Sequence, residues 1–549
     1  MRGEYIRALK VLDAGACRAV EPAQVFDGRQ PHTLETLAEA FDVSEPAIDD
    51  TARRAAGQVE RLAELWNLKQ TPEEAIRRTL RDIARRHRIA LPAHRQLDRQ
   101  VNRMRDAAWW RRALRKRFQT VELLQIHRGA VHNHASPCVS DKALKRFHRQ
   151  RSRNAQMLAS MEAVNESTGE VRPLDELVAA SQANPSNRRR AMMVRIKGIE
   201  AQAKARGHVG LFVTITAPSR MHARQHRSGQ ANPTHDGTTP RQVQTYLNRV
   251  WRRSLRAAAH QGLAPYGLRV VEPHHDACPH WHVLMFTAPA DAEALLGVLR
   301  SYAMADSPNE PGAAERRFVV EHIDPEKGSA LAYVAKYVSK SIDGEGLDGD
   351  DEHGGDGRDG AARRVAWARL WGVRQFQFFG VPPITPTREL FRVDAAGLPG
   401  AALPAAHAAC KANDYAAWLS ACEAHGMRFS VLYAARPSTR YRDETTRAIE
   451  GLRVHAADLA RPVDVITRVD TWRIQPRQPQ HATPAAEPPW TRFNNCAGLD
   501  FTGLFPPTAA PAREPGGSWS EGARGRGVPP RAPLPGATRA EWRSSRPAA

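Results

Sequence analysis

The stretch Leu268-Arg-Val-Val-Glu272-Pro-His274-His275-Asp276-Ala-Cys278-Pro-His280-Trp-His282-Val-Leu-Met-Phe286 decides the fold. Two apolar runs enclose a polar knot containing Asp276 and Pro279, a pattern that reads as strand, tight turn, strand. Successive side chains of a strand point to opposite faces, so His280 and His282 share one face. With Ala277 at the middle of the turn, Glu272 stands opposite His282, and one carboxylate joins two imidazoles. Three such donors form a metal site with room for substrate oxygens. Asp276 and His274 rival Glu272 as the third ligand.

A bare His-x-His is a weak signal, because 22 histidines in 549 residues give about one such pair by chance. His132-Asn-His134 is the internal control. It lacks a flanking apolar strand, lies near Pro137 and reads as a loop. What distinguishes the second pair is a downstream helix, Ala330-Leu-Ala-Tyr333-Val-Ala-Lys336-Tyr337-Val-Ser-Lys340. Residues four apart are neighbours on a helix, so Tyr333 and Tyr337 share a face, which also carries Lys336 and Lys340. Leu331, Val334, Val338 and Ile342 make the opposite stripe and are expected to pack on the sheet.

Together the two halves predict phosphoryl transfer. A tyrosine hydroxyl can attack a phosphodiester and form a covalent phosphotyrosine, but a free phenol, with a pKa near 10, is a poor nucleophile at neutral pH. A divalent cation on His280, His282 and a carboxylate would polarise the phosphate. Lys336 or Lys340 would favour phenolate or hold a phosphate oxygen. Two tyrosines one turn apart allow two sequential strand transfers.

The surrounding pattern runs strand (211–216), helix (241–262), the hairpin, helix (292–302), strand (317–323), helix (330–341). This β-α-β-β-α-β order predicts an α+β fold: a central antiparallel sheet of split βαβ, ferredoxin-like type, with helices on one face and the other open for a site. Residues 1–195 read as a helical amino-terminal region for DNA or partner binding. In it, Thr71-Pro72-Glu73-Glu74 predicts a helix start. Its Arg-rich helices, including Trp109-Trp110-Arg111-Arg112 and Lys142–Arg153, either grip DNA phosphates or are solvated faces with the tryptophans in a core. The core then spans 205–342. An acidic, Gly-rich loop (343–364), a carboxy-terminal α/β extension (365–475) with a helix over His407–His425 and short strand-like runs over Val463–Ile474, and a Pro/Arg-rich disordered tail (476–549) follow.

A formal net charge of +21 favours a polyanionic partner, nucleic acid by default. Six scattered cysteines without a Cys-x-x-Cys indicate neither a disulfide framework nor a zinc ribbon. No apolar run is long enough to span a bilayer, and charges at Arg2, Glu4, Arg7 and Lys10 leave no signal-peptide core, so a cytoplasmic protein is expected.

Pro279-His280-Trp281-His282 followed by Tyr333-x-x-x-Tyr337-x-x-Lys340 resembles the HUH endonucleases of the two-tyrosine branch, which initiate rolling-circle replication, and more narrowly the replication gene A proteins of temperate tailed phages. Supporting stretches are Phe212–Ser219, Asp236–Pro240, Tyr266–Asp276 and Trp371–Phe376; the likeness covers roughly 100–392. It implies nicking of single-stranded or supercoiled origin DNA through a covalent 5′-phosphotyrosine adduct, with a free 3′-hydroxyl as primer and Mg2+ or Mn2+ as cofactor. A host replicative helicase is the further partner considered for the helical region. By the resemblance His280 and His282 are metal ligands, Tyr333 and Tyr337 nucleophiles, and Lys340 the lysine after the second tyrosine. Two other readings compete: a non-catalytic RNA-recognition-like sheet, and structural zinc on His274, Cys278, His280 and His282.

Overall fold

The computed structural model describes residues 33–324, 326, 328–345, 356–438, 441 and 444–478. The expectations for residues 1–32, for the centre of the acidic loop and for the Pro/Arg-rich tail beyond 478 lie outside them.

The amino-terminal part is helical up to residue 159: Leu34–Phe41, Glu45–Leu68, Glu73–Arg86, Leu97–Met104, Ala107–Arg115, Phe118–His127 and Asp141–Ala159. The side chains of Thr33 and Ser44 cap the first two helices by accepting from the amides of Thr36 and Ala47. The expected start at Thr71-Pro72 is real but differs in detail. Pro72 is itself the cap, the first helical residue is Glu73, and no side chain caps that end, so Thr71 does not play the predicted part. Trp110 is fully buried among Val59, Leu80, Ile83 and Met104, and its Nε1 donates to the Met104 carbonyl at 2.7 Å. At Trp110, then, the core reading holds over the DNA-gripping one.

Helix does not continue to 195 as expected. Met161–Asn165 and Val171–Pro173 pair with each other and with Trp472–Pro476 in a small antiparallel sheet. Strands this short carry too few alternations for period-two reading, and their partner comes from the far end of the chain.

The central part is built from α1 (Pro185–Ala205), β1 (Val209–Ile215), α2 (Pro240–His260), β2 (Tyr266–Pro273), β3 (Pro279–Thr287), α3 (Ala292–Met304), β4 (Phe318–His322), α4 (Ala330–Lys340), α5 (Gly357–Trp371) and β5 (Phe376–Phe379). The strands form one sheet in the order β4-β1-β3-β2-β5, every neighbour antiparallel. On one face, Leu211, Val213, Val271, Trp281, Val283 and Met285 bury against Val243, Leu247 and Trp251 of α2 and Leu295 and Leu299 of α3. Trp281 anchors this layer: it is fully buried, and its Nε1 donates to Gln244 Oε1 at 3.0 Å.

The even-numbered positions, Phe212, Thr214, Val270, Glu272, His280 and His282, point the other way. That face was expected to be open. Instead α1 and α4 cover part of it, and its histidines are buried. The hairpin register also differs from expectation. Glu272 stands opposite His280, and His282 opposite Val270. The shift is two residues, so the facing of every side chain survives; a shift of one would have reversed it. The connection 274–278 is tight: the His274 amide donates to the Cys278 carbonyl at 2.7 Å, and Ala277 adopts a left-handed φ of 71°.

Beyond β5, the expected helix over His407–His425 is two, Ala402–Lys411 and Tyr415–Ala424. They part at Asn413, φ 57°, and Asp414 caps the second through the Ala417 amide at 2.9 Å. A hairpin of Arg428–Pro437 and Thr445–His455, not anticipated from sequence, forms a sheet with Val463–Ile466. The predicted strand-like run over Val463–Ile474 is thus divided between two sheets. The fold is mixed α/β, with antiparallel sheets and a helical amino-terminal region. Among the described residues no helix is long and apolar enough to cross a membrane.

Candidate active site

Strand geometry brings the first three predicted residues together. Glu272 is the penultimate residue of β2, and His280 and His282 alternate with Trp281 on β3. One potential ligand atom from each lies within 4.8 Å of the other two, and all three residues are buried. The two Nε2 atoms are 2.9 Å apart. Neighbours set their orientation: Thr214 Oγ1 lies 3.0 Å from His282 Nδ1, and Ser341 Oγ donates to Glu272 Oε1 at 2.5 Å. Outer partners of this kind fix ring tautomers and carboxylate rotamers around an ion. Two imidazoles and one carboxylate, buried and convergent, suit a divalent cation.

The tyrosine helix reaches this cluster from above. Ser329 caps α4 by accepting from the Ala332 amide. Glu200 of α1 holds the same end, its Oε1 and Oε2 accepting from the amides of Ala330 and Leu331 at 2.9 and 3.1 Å. An anion at a helix amino terminus also complements the macrodipole. The Tyr337 ring sits 4.2 Å, centroid to centroid, from that of His282, and Phe212 of β1 packs between the elements at 5.2 Å from Tyr337 and 5.6 Å from His282. Tyr333, one turn back, meets Phe212 at 6.4 Å. Both tyrosines are partly exposed.

Two expectations about this helix need correction. The apolar stripe Leu331, Val334, Val338 and Ile342 is buried, but α4 packs chiefly against α1 and α5; the rings of Tyr333 and Tyr337 are what meet the sheet. Nor do the two lysines share a setting. Lys336 is exposed, whereas Lys340 is only 1% exposed.

Neither rival for the third ligand joins the Glu272/His280/His282 group. Asp276 Oδ2 lies 3.2 Å from His222 Nδ1, and its Oδ1 accepts from the Cys278 amide. His222, Asp276 and Cys278 form a second convergent group. Burial would raise the Asp276 carboxyl, but the imidazole of His222, with His275 and His274 behind it, holds it well below the usual carboxylate range. Burial likewise depresses His222, yet Cys278 and Asp276 outweigh it and lift that imidazole well above its ordinary value. His274 stacks on His280 at 3.9 Å, and burial, then the neighbouring His280 and His222, drive it well below the ordinary histidine range. Among the described residues, His274, Cys278, His280 and His282 are not gathered round one point: the last two group with Glu272, Cys278 with His222.

Sequence reasoning missed Thr214, Ser341 and Glu200. Ser341 follows Lys340 directly and was within reach of a helix-end argument. Glu200 carries no local signal, since its partners lie 130 and 131 residues away.

The bacteriophage replication gene A protein (GPA) family matches residues 33–345. The chain belongs to that family. Among its relatives, the replication gene A protein of Escherichia phage 186 is 36% identical over 73% of this chain and 60% of its own length, and that of Escherichia phage P2 is 34% identical over 73% and 55%. A probable replication endonuclease from a prophage-like region of Salmonella typhi is 37% identical over 60% of this chain and 43% of its own. The match thus spans little more than half the length of these gene A proteins. No solved structure matches the chain significantly.

Proposed function

We propose that this gene A family member is a site-specific DNA endonuclease and strand transferase of the two-tyrosine HUH type, which nicks an origin and starts rolling-circle replication. The observation that carries the reading is the approach of Tyr337 to the Glu272/His280/His282 group. The sheet order β4-β1-β3-β2, antiparallel throughout, supports the reading of a split βαβ, ferredoxin-like core. Relatives named replication gene A protein and replication endonuclease support the activity.

In this reading Tyr337 or Tyr333 attacks the phosphorus of one phosphodiester through its phenolic oxygen. The bond from phosphorus to the 3′ oxygen breaks, the 5′ end stays on the tyrosine as a phosphodiester, and the 3′ oxygen takes a proton to become the primer hydroxyl. Glu272, His280 and His282 would hold Mg2+ or Mn2+, which supplies charge neutralisation at the scissile phosphate. Thr214 and Ser341 keep those side chains aimed. Phe212 fixes the phenol ring against the sheet, so little orientational freedom is lost at the reaction. In the same reading the exposed Lys336 meets a backbone phosphate, and the buried Lys340 acts from within the helix packing. The second tyrosine receives the next DNA end. The setting is the cytoplasm of a bacterial host, with a replicative helicase as the proposed partner that opens the nicked duplex.

The test is incubation of labelled single-stranded or supercoiled origin DNA with the protein and Mg2+ or Mn2+, then mapping of the peptide that carries DNA. The expected adducts fall on Tyr333 and Tyr337. Tyr333→Phe with Tyr337→Phe abolishes cleavage and spares binding; undiminished nicking by that double variant would remove the assignment.

A further inference from the structure

A well-formed cavity lies outside the tyrosine site. It encloses about 500 Å3 between α1, β5 and the helices Thr385–Leu390, Ala402–Lys411 and Tyr415–Ala424. Arg188, Arg195, Arg374 and Arg388 line it, together with Phe376 and Phe378. The acid in the lining, Asp414, is engaged as a helix cap. None of the four arginines makes an ion pair within 4.0 Å among the described residues. Arg195 is spent on the fold, bonding Tyr415 Oη and the Pro382 carbonyl and lying 3.9 Å over the Phe378 ring. Arg388 donates to the side-chain Oε1 of Gln182. Arg188 is most telling, because its Nε is buried without a hydrogen-bond partner. Burial pulls the Arg188 and Arg388 guanidinia below their ordinary range, and a neighbouring arginine, Arg369 and Arg195 respectively, adds to it. Positive charge concentrated in a half-enclosed site, and offset only in part by Asp343 near Arg188 and Glu389 near Arg388, is stabilised by an anion.

The place of the cavity in the sheet says which anion. Phe376 stands opposite Val270, which stands opposite His282; Phe378 stands opposite Leu268. Opposed residues of an antiparallel pair share a face, so both phenylalanines project on the histidine side. Two strand spacings separate Phe376 from His282 in one row, about 10 Å. α1 bridges the two places, since it carries Arg188 and Arg195 into the cavity and Glu200 to the start of the tyrosine helix. Aromatic faces beside arginines, one short step from a site for phosphodiester chemistry, match an unpaired nucleotide, its base on an aromatic face and its phosphate on the guanidinia.

We infer that this cavity is a subsite for one unpaired nucleotide of the DNA strand handled at the tyrosine site, with Arg188, Arg374 and Arg388 on its phosphate and the Phe376–Phe378 strand beside its base. The inference rests on the reading of the protein as a DNA strand nuclease. Its test depends on binding alone, so it stands or falls separately from catalysis.

The probe is a 20-nucleotide single-stranded DNA with bromodeoxyuridine at successive positions, photo-crosslinked to the full chain without added metal, with the crosslinked peptide sequenced. Crosslinks are expected at one or two adjacent positions, on the peptides bearing 374–378 or 415–418. In parallel, Arg374→Gln with Arg388→Gln should weaken binding of that oligonucleotide about ten-fold. The same pair should flatten the slope of log affinity against log salt by about 0.7, the value for one single-strand phosphate no longer neutralised. Arg374→Lys with Arg388→Lys should largely restore both, which a purely structural role would not. An unchanged melting temperature shows that the Gln pair is folded; if it is not, the Lys pair and the wild-type crosslink map decide. Crosslinks confined to other surfaces, an unchanged salt slope, or protection of the cavity by free dATP but not by the oligonucleotide would each overturn the inference. Loss of nicking with retained crosslinks would count against the proposed activity alone.

Discussion

The ring of Tyr337 lies 4.2 Å from that of His282, while Tyr333 meets the same sheet at Phe212, 6.4 Å between centroids. The paired tyrosines are therefore not equivalent. Tyr337 is expected to make the first cut. Tyr337→Phe should lower formation of the initial covalent adduct by at least about 100-fold, whereas Tyr333→Phe should retain it and lose the second transfer. Adduct mapping on each single variant, before and after a second DNA end is supplied, checks the order; equal adduct yields would show that the helix moves between two positions.

Ser341 donates to Glu272 Oε1 at 2.5 Å. Ser341→Ala leaves the carboxylate in place but removes one of the contacts that fix its rotamer. An outer partner of a metal ligand is worth about 10- to 100-fold in metal affinity or activity, so a rise of that size in the Mn2+ concentration for half-maximal nicking is expected. Calorimetric Mn2+ titration gives the same quantity without DNA.

Glu200 holds the first turn of α4 through two amides. Glu200→Ala removes both acceptors and should cost about 1 kcal/mol, measured by chemical denaturation. Activity should fall further than that figure implies, because the two tyrosines ride on the released helix end.

The His222 and Asp276 pair gives the fold a pH dependence with opposite limits. The His222 imidazole is held above its ordinary value, so its contribution is complete below about pH 6.5 and is lost as pH rises through the elevated folded value. Asp276 is held below the carboxylate range, so its contribution is present above about pH 4 and is lost only as pH falls through the depressed value. The melting temperature of the wild type should decline from about pH 6.5 upward, and His222→Gln should flatten that decline. A decline of equal steepness in the variant would assign it to other groups.

Trp281 is fully buried between the two histidines in sequence and points to the opposite side of the sheet. Trp281→Ala should destabilise by about 3–5 kcal/mol and leave a vacant hydrogen bond at Gln244. Urea denaturation reads the loss. A conservative Trp281→Phe should keep most of the stability, since the ring supplies most of the buried area.

Much of the site was legible because strand and helix periods are local. Period two put His280, His282 and Glu272 on one face, and the parity of that argument is why a two-residue error in register left it intact. The four-residue spacing put Tyr333 and Tyr337 on one helix face. The apolar stripe of α4 was read correctly as buried and wrongly as lying on the sheet, because periodicity says that a face is covered but not by what. The three-stranded sheet of Met161–Asn165, Val171–Pro173 and Trp472–Pro476 was missed for the same reason, as its pairing joins opposite ends of the described chain.

Residue order alone therefore determined which groups can do chemistry and which side of their own strand or helix they occupy, since covalent geometry and backbone sterics act over a few residues. Tertiary packing alone decided which third donor joins the imidazoles, which phenol comes nearer to them, and that a cluster of arginines opens on the same side of the sheet. Those outcomes depend on contacts between segments tens to hundreds of residues apart, whose relative placement follows from how the whole apolar surface is buried at once rather than from any one segment.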